Sequence, residues 1–567
     1  DGRLALFAVW GLEITFYPLL CALGFLALLR ERPAWSGLLF ALAAMTRPEG
    51  VLLAGCAGLY LLWQGEAIQR GGRFGVRVRL PRPALAFAAL FAGVFGSYFL
   101  IRWSYYGYLL PNTFYAKVGS PLTSAERGLE YVIQALTRMS LAPVAGAALL
   151  ALGVLLVQGV ARRLKRTAPE TPNTGGPNTG APNTGGPNTG GPGLAPGVQA
   201  LILGAAGLSL AYIVAVGGDH FGPRFLYHVL PVLLPALALA LALGLARLAP
   251  RLRPTRAGAL AMAAVMVPLA LTPQTFGERL GAWGWASLGL WLKRHSPPEA
   301  TIATDAAGAI AYYSQRRTLD MFGLANPHIA HTPMATLGQG AAGHEKTDPD
   351  YILAQAPLYI TTWMTPGGEL IRGLDLRMAY RAWYRPVGVA RNLPPGLAED
   401  PLIPLPEDAA ARRRVLAAKP EPHWGVAKRR KTPRRVVPVH PYELDTPYQA
   451  QDGTRLTAPA ERPSGTIFTG PGLYFAPGRH AWRLRLATDA AATPPRCTVR
   501  AWRETAAGAD SLAQQEVRWT AKDTAVVTVA FTVPPEASPA PHGVRLNCTG
   551  GTRLTVHGLS ALWHRAD

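Results

Sequence analysis

The stretch GLLFALAAMTRPEGVLLAGCAGLYLLW, residues 37–63, decides how the chain is read. Two apolar runs, 37–45 and 51–63, are split by Thr46-Arg47-Pro48-Glu49-Gly50. A bilayer core needs about 20 mostly apolar residues per helix at about 1.5 Å of rise each, so runs of about ten residues cross only half of it. Broken helices at membrane depth persist only where protein buries them or where they line a wet cavity. The break therefore predicts a polar cavity in the outer half of a membrane, with Arg47 and Glu49 in its wall.

Longer apolar runs lie at 4–29, 83–101, 141–160, 198–216, 224–248 and 257–272, and none of that length follows residue 275. With 49% hydrophobic and 16% charged residues among 567, the composition argues against a wholly soluble protein. The formal charge of +22 collects beside the apolar runs, where it serves to anchor them. No basic face carries base-reading elements, so nucleic acid is not an expected partner.

Lys and Arg fix the orientation. The connection 64–82 holds Arg70, Arg73, Arg77, Arg79 and Arg82; residues 162–166 and 249–256 are similarly basic, and Arg30-Glu31-Arg32 adds a turn. These read as cytoplasmic, 102–140 and 217–223 as external. Counting forward predicts a multi-pass protein of the inner (plasma) membrane with residues 276–567 periplasmic or otherwise extracytoplasmic.

The expected fold is thus a polytopic α-helical membrane domain over 1–275, a small α/β domain over 276–395 and a C-terminal β-sandwich over 441–567. Within the first lies a disordered cytoplasmic loop, 168–195, built on PNTGG-type repeats that have too little apolar surface to pack. In the second, Thr301–Thr304, RTLDMFG and PLYITTW read as strands, with DPDYILAQ helical. The basic, Pro-rich 396–440 reads as a linker. The sandwich is inferred from period-two runs such as Trp482-Arg483-Leu484-Arg485-Leu486. Cys497 and Cys548 are expected to pair in an oxidising compartment, while Cys21 and Cys56 read as packing residues. Trp482, Trp502 and Trp519 are candidate platforms if the sandwich binds carbohydrate.

Charges inside a membrane are costly and so mark function. Glu13, Arg47, Glu49, Asp219, His220 and Arg224 are all predicted on the external side at similar depth. A Tyr-rich external loop adds Tyr106, Asn112, Tyr115 and Lys117, a set suited to sugar hydroxyls and a phosphate. No Cys/His spacing demands a metal, and no cofactor is expected, though a divalent ion is compatible with the acidic residues.

In order, GLEITFYPLL (11–20), LLFALAAMTRPEGVLL (38–53), YYGYLLPNTFYAK (105–117) and VGGDHFGPRF (216–225) resemble the polytopic GT-C glycosyltransferases. Within them the likeness is greatest to the terminal arabinofuranosyltransferases of cell-wall arabinan. It spans about residues 4–250, with fainter echoes at DAAGAIAYY (305–313), LDMFGLANPHIAH (319–331) and GHEKTDPDYIL (343–353). The resemblance implies a polyprenyl-phosphate sugar donor, a glycan or lipid-linked acceptor, and transfer of a sugar such as arabinofuranose at the outer face of the bilayer. It places the family's general base in an external loop upstream of Asp1, so the chain is expected to be amino-terminally truncated. On this reading Arg224, then Arg47, meets the phosphate. Asp219 and Glu13 hold sugar hydroxyls or orient those arginines, and His220 assists proton transfer. The competing expectations are a transporter or flippase of lipid-linked sugar and a membrane-anchored glycan-binding assembly factor.

Overall fold

The computed structural model describes residues 13–65, 68–71, 75–78, 80–119, 121–167, 194–219, 222–271, 282–341, 343–364, 370, 372–391, 400–417, 423–439, 444–446, 450–451, 455–458, 465–488, 495–506, 508–519, 524–535, 540–549 and 553–563. His220 and the PNTGG repeats lie outside them. The chain divides into two units, one of Asp1–Arg279 with Pro333–Lys346, the other of Leu280–Thr332 with Thr347–Asp567.

The first unit is helical. In order come α1 (Phe16–Leu29), α2 (Pro33–Thr46), α3 (Gly50–Gln64), a short hairpin of β1 (Ile68–Gly71) and β2 (Gly75–Val78), and α4 (Arg82–Tyr106). There follow α5 (Asn112–Lys117), α6 (Pro121–Arg138), α7 (Ala142–Thr167), α8 (Pro196–Ala215), α9 (Arg224–Leu248) and α10 (Pro254–Leu271). Prolines open α2 and α8 at the first turn, where a missing N–H leaves nothing unsatisfied. The core gathers Ile14, Tyr17, Phe40, Leu53, Leu226 and Tyr227 from α1, α2, α3 and α9. Phe25 meets Phe40 edge-on at 5.0 Å, and Ser36 donates across to the Gly24 carbonyl at 2.9 Å.

Three helices are long and apolar enough to cross a membrane: α4, α8 and α9. Counting the pair Ser124–Arg138 and Ala142–Gln158, bent by 116°, gives up to four. This revises the six long runs read from sequence. The run at 257–272 forms a shorter apolar helix, the one at 141–160 qualifies only as part of the bent pair, and the one at 4–29 is described only from Glu13. The split pair is also longer than its apolar runs. α2 and α3 have 14 and 15 residues, about 21–23 Å each at the usual rise, because Pro33-Ala34-Trp35-Ser36 starts α2 ahead of its apolar run and Thr46, Gly50 and Gln64 continue the turns at the other ends. The connection 102–140, read as a loop, is largely helical, since α6 has its own apolar stripe with Val132 and Ala135 buried.

In the second unit, α11 (Ala282–His295), whose last turn is basic as its dipole favours, precedes a mixed sheet. Its strands are β3 (Thr301–Thr304), β4 (Arg317–Asp320), β5 (Tyr359–Met364), β6 (Tyr384–Ala390), β7 (Leu402–Pro404) and β8 (His423–Arg429), in spatial order β4-β3-β5-β8-β6-β7. β3 runs parallel to β4 and β5, and the remaining pairs are antiparallel. Helices α12 (Ala309–Ser314), α13 (Pro327–His331), α14 (Pro349–Ala354), α15 (Met378–Trp383) and α16 (Ala409–Ala417) connect them. Asn326 and Asp348 cap α13 and α14 by accepting from Ile329 and Tyr351 N–H.

Residues 396–440 are not a linker. They supply β7, α16 and β8, the last of these a central strand, and β9 (Val436–Val439), which joins the sandwich. A short run of small and apolar residues qualifies β8 as a covered strand: Trp424, Gly425, Val426 and Ala427 are all buried, whereas in β9 burial alternates, with Val437 and Val439 inward. Pro333–Lys346, expected within the α/β domain, groups instead with the helices.

The remaining strands are β10 (Ala450–Gln451), β11 (Arg455–Ala458), β12 (Gly465–Leu473), β13 (Gly478–Thr488), β14 (Arg496–Thr505), β15 (Gly508–Glu516), β16 (Thr524–Val533), β17 (His542–Thr549) and β18 (Leu554–Trp563). They form two antiparallel sheets, β10-β11-β18-β13-β16 with β9 against β18, and β12-β17-β14-β15. Both sheets contribute to one core through Trp482, Leu484, Val499, Val529, Leu546 and Val556. Period-two burial along β16 shows why the strand sits in this register: Ala525, Val527, Val529, Phe531 and Val533 all face inward. Cys497 and Cys548 are paired across β14 and β17 by a disulfide. Trp482 is fully buried, so it is core rather than platform. Trp519 packs on the same core and donates to the Pro495 carbonyl at 3.1 Å.

Candidate functional site

Three separate chain segments bring the charges of the helical unit together. Glu13 stands just before α1, its carbonyl accepting from Tyr17 N–H at 2.9 Å. Arg47 follows α2 in an extended conformation, as the residue before a proline prefers, and Pro48 prevents α2 from continuing into α3. The third segment is the turn between α8 and α9, where Gly217 and Gly218 adopt φ of 80° and 71°. A Cβ at Gly218 would come within 2.4 Å of the Tyr131 ring, so glycine is required there by both conformation and space.

Arg47 is the hub. One guanidinium nitrogen donates to the Glu13 carboxylate, while Nε and Nη2 donate to Glu49 Oε1 at 3.0 and 2.6 Å. Arg224 Nε lies 2.6 Å from Asp219 Oδ2. The Phe225 ring sits beneath both cations, its centroid 5.2 Å from Arg47 Cζ and 5.6 Å from Arg224 Cζ, a geometry that favours positive charge over an aromatic face. His228, one turn beyond Arg224, places Nε2 3.7 Å from Glu13 Oε1. Lys117, at the end of α5, is largely buried within electrostatic reach of Asp219, Arg224, Arg47 and Glu13. Burial pushes its ammonium below the usual lysine range, Asp219 works against that, and the two arginines add to it.

The turn is clamped from α6. Arg127 Nε donates to the Gly217 carbonyl at 2.9 Å and Nη1 to Glu345 Oε2 at 3.0 Å. Glu345 Oε1 in turn accepts from Gly338 and Gly340 N–H at 2.8 and 2.7 Å. The Tyr131 hydroxyl accepts from Phe225 N–H at 2.9 Å. The structure thus brings Glu13, Arg47, Glu49, Asp219, Arg224 and Lys117 together, three carboxylates with three cations.

The Tyr-rich loop is more dispersed. Tyr106 is exposed and meets Tyr105 edge-on at 4.8 Å; Tyr115 packs with Tyr108 and Phe114; Asn112 begins α5. Sequence reasoning missed His228, Arg127, Tyr131 and Glu345. For His228 a signal existed, since it lies four residues after Arg224 and so on the same helix face. Arg127 and Tyr131 share the same four-residue spacing on α6. Nothing local marks Glu345, whose partner is 218 residues away.

A second polar cluster closes the parallel part of the sheet. Thr361 donates to Thr304 Oγ1 at 2.8 Å, Thr362 donates to Asp305 Oδ2, and Arg372 Nε lies 3.5 Å from the same oxygen. Burial pushes the Asp305 carboxyl up to about 6, against the pull of Arg372. Its neighbour Asp320 holds a turn by accepting from Phe322 and Ala325 N–H. Among the described residues no group of three or more His, Cys, Asp or Glu side chains is arranged to hold a metal ion.

A family model described as a domain of unknown function (DUF8728) matches residues 276–400. No curated protein matches the chain. Among solved structures, one described as "CBM4 structure and function" is similar at 15% identity, over 22% of this chain and 77% of that one, with a TM-score of 0.16. Another holds the CBM22-1–GH10 modules of the N-terminal endo-1,4-beta-D-xylanase 10B of Clostridium thermocellum complexed with xylohexaose. Its similarity is 8% identity over 24% of this chain and 25% of that one, with a TM-score of 0.15. At such scores neither likeness carries an argument about the sandwich or its ligand.

Proposed function

We propose that the chain is part of a polytopic membrane glycosyltransferase that moves a sugar, arabinofuranose being the first candidate, from a polyprenyl-phosphate donor to a cell-envelope glycan on the outer face of the membrane. The observation that carries the reading is the convergence of Glu13, Arg47, Glu49, Asp219, Arg224 and Lys117, from segments far apart in sequence, within a unit otherwise built of apolar helices. Charges are expensive beside lipid and accumulate there where a polar ligand or reaction needs them.

In the proposed reaction the acceptor hydroxyl attacks the anomeric carbon as the bond from that carbon to the phosphate oxygen breaks. The hydroxyl proton passes to a carboxylate, and polyprenyl phosphate leaves with the bonding pair. Glu13, the most exposed of the three carboxylates, suits proton acceptance. Arg224 and Lys117 suit the charge that grows on the leaving phosphate, since a guanidinium offers a paired fork and an ammonium a compact charge. Asp219 then orients Arg224, as Glu49 does Arg47.

Membranes containing full-length protein, supplied with a polyprenyl-phosphate sugar, test this directly. Arg224→Ala and Asp219→Asn are each expected to lower transfer by roughly a hundredfold or more, the scale of losing one stabilising donor of a developing charge. Transfer at the original rate in both variants overturns the proposal.

A further inference from the structure

The second unit holds a cleft of about 410 Å³ where the mixed sheet meets β9. Five arginines, Arg381, Arg385, Arg412, Arg430 and Arg434, line it against only two carboxylates, Glu407 and Asp408. Arg381 Nε donates to the Asp375 carbonyl at 2.5 Å and Arg412 Nη1 to the Glu407 carbonyl at 3.2 Å, so the set that bears on the Glu407 carboxylate is Arg385, Arg430 and Arg434, charged at every physiological pH. Asp408 is committed locally, its Oδ1 accepting from Ala411 N–H at 2.7 Å to cap α16.

Glu407 faces the cations. Its Oε1 accepts from Arg430 Nη1 at 2.8 Å and from Arg434 Nη2 at 2.7 Å, and Oε2 lies 3.9 Å from Arg385 Nη1. The cationic side of this arrangement is held by backbone. Arg430 N–H donates to the Trp383 carbonyl at 2.6 Å and Arg434 N–H to that of Ala382 at 2.9 Å. The Glu407 side chain is 49% exposed, Arg385 and Arg434 are 48% and 38% exposed, and only Arg430, at 17%, is well covered. Three guanidinium groups closing on one half-exposed carboxylate have the form of an anion site occupied by its own chain.

We propose that this cleft binds a phosphate group and that Glu407 is its built-in occupant, displaced to solvent when the ligand enters. Phosphate fits better than a second carboxylate because it brings more charge and at least one more acceptor oxygen to three converging forks. The burial of Arg430 and the backbone anchoring of Arg430 and Arg434 lower the ordering cost of binding. The site lies in a different unit from the helical charge cluster, so it stands whether or not the transferase reading does. Two sources carry the same chemistry, free phosphate and the phosphomonoester headgroup of phosphatidic acid.

The test uses the full chain in a neutral detergent, titrated in parallel with inorganic phosphate and with the soluble lipid dihexanoyl phosphatidic acid. Saturable binding is expected in at least one titration. Arg434→Gln should weaken it roughly tenfold, the scale of one charge-assisted hydrogen bond. Arg385→Gln, whose side chain is about half exposed, gives the same reading should Arg434→Gln unfold. Glu407→Gln should tighten binding several-fold, because it removes the internal competitor; a carboxylate that merely braces the fold would give weaker binding instead. Tightening with phosphate alone identifies a free phosphate as the ligand, and tightening with the lipid alone identifies a headgroup. If Glu407→Gln tightens neither, or if Arg434→Gln and Arg385→Gln bind as the parent does, the proposal fails.

Discussion

The two charge clusters solve opposite problems. Around Arg47 three carboxylates face three cations, and the partners are mostly buried: the Arg47, Glu49 and Asp219 side chains are 14%, 12% and 4% exposed. Around Glu407 a single half-exposed carboxylate faces three guanidinium groups at the edge of solvent. An apolar helical bundle admits ions only when each is matched, since an unmatched buried charge costs several kcal/mol. A wet cleft has no such requirement, because water screens the excess until a ligand replaces it. The balance of charge in each place thus follows from its surroundings, and the surplus in the cleft is the part left for a partner.

The sharpest way to break this contrast is Arg47→Ala, which leaves Glu13 and Glu49 facing each other without their common cation. A loss of about 3–5 kcal/mol is expected, read as a large fall in thermal stability in detergent or as failure to accumulate in the membrane. A change no greater than that of a surface residue would mean the cluster is far wetter than its burial implies.

Asp305 tests the same principle in the second unit, as a buried acid whose cation, Arg372, stands 3.5 Å away. Its folded pKa of about 6 lies above its ordinary 3.8, so its contribution to stability is full below about pH 4 and is lost as the pH rises through about 6. His542 in the sandwich runs the other way: burial holds it down at about 4, so its contribution is lost as the pH falls from about 6.5 through 4. Asp305→Asn removes only the first term. Between about pH 4 and pH 7 the parent should lose on the order of 3 kcal/mol relative to the variant, measured as hydrogen exchange of β3 and β5. Parallel pH profiles for the two would show that Asp305 is already ionised at no cost.

The smallest effect is expected at Glu407. Glu407→Gln should change thermal stability by less than about 1 kcal/mol, as exposed ion pairs do, in contrast with Arg47→Ala. A destabilisation comparable to that of Arg47→Ala would erase the distinction between a matched cluster and an open one.

Much of this was legible in the residues. Period-two alternation in Val527-Thr528-Val529-Ala530-Phe531-Thr532-Val533 determined a strand with one buried face, and the Arg47-Pro48-Glu49 break determined where α2 must stop. Glu13, Arg47, Asp219 and Arg224 identified themselves as charges beside long apolar runs. These are local signals, set by backbone sterics and by the hydrophobicity of neighbours along the chain. Only tertiary structure decided the rest. That β8 and β9, in a basic Pro-rich stretch, are sheet strands depends on partners far along the chain: β5 and β6 for the one, and for the other β18, whose Leu559 pairs with Val439. That Trp482 is core rather than surface depends on a facing sheet. That Glu345 and Arg127 share a hydrogen bond, or that three arginines converge on Glu407, is written in no window of sequence, because electrostatic partners are chosen by distance in space and the chain sets that distance only once it has folded.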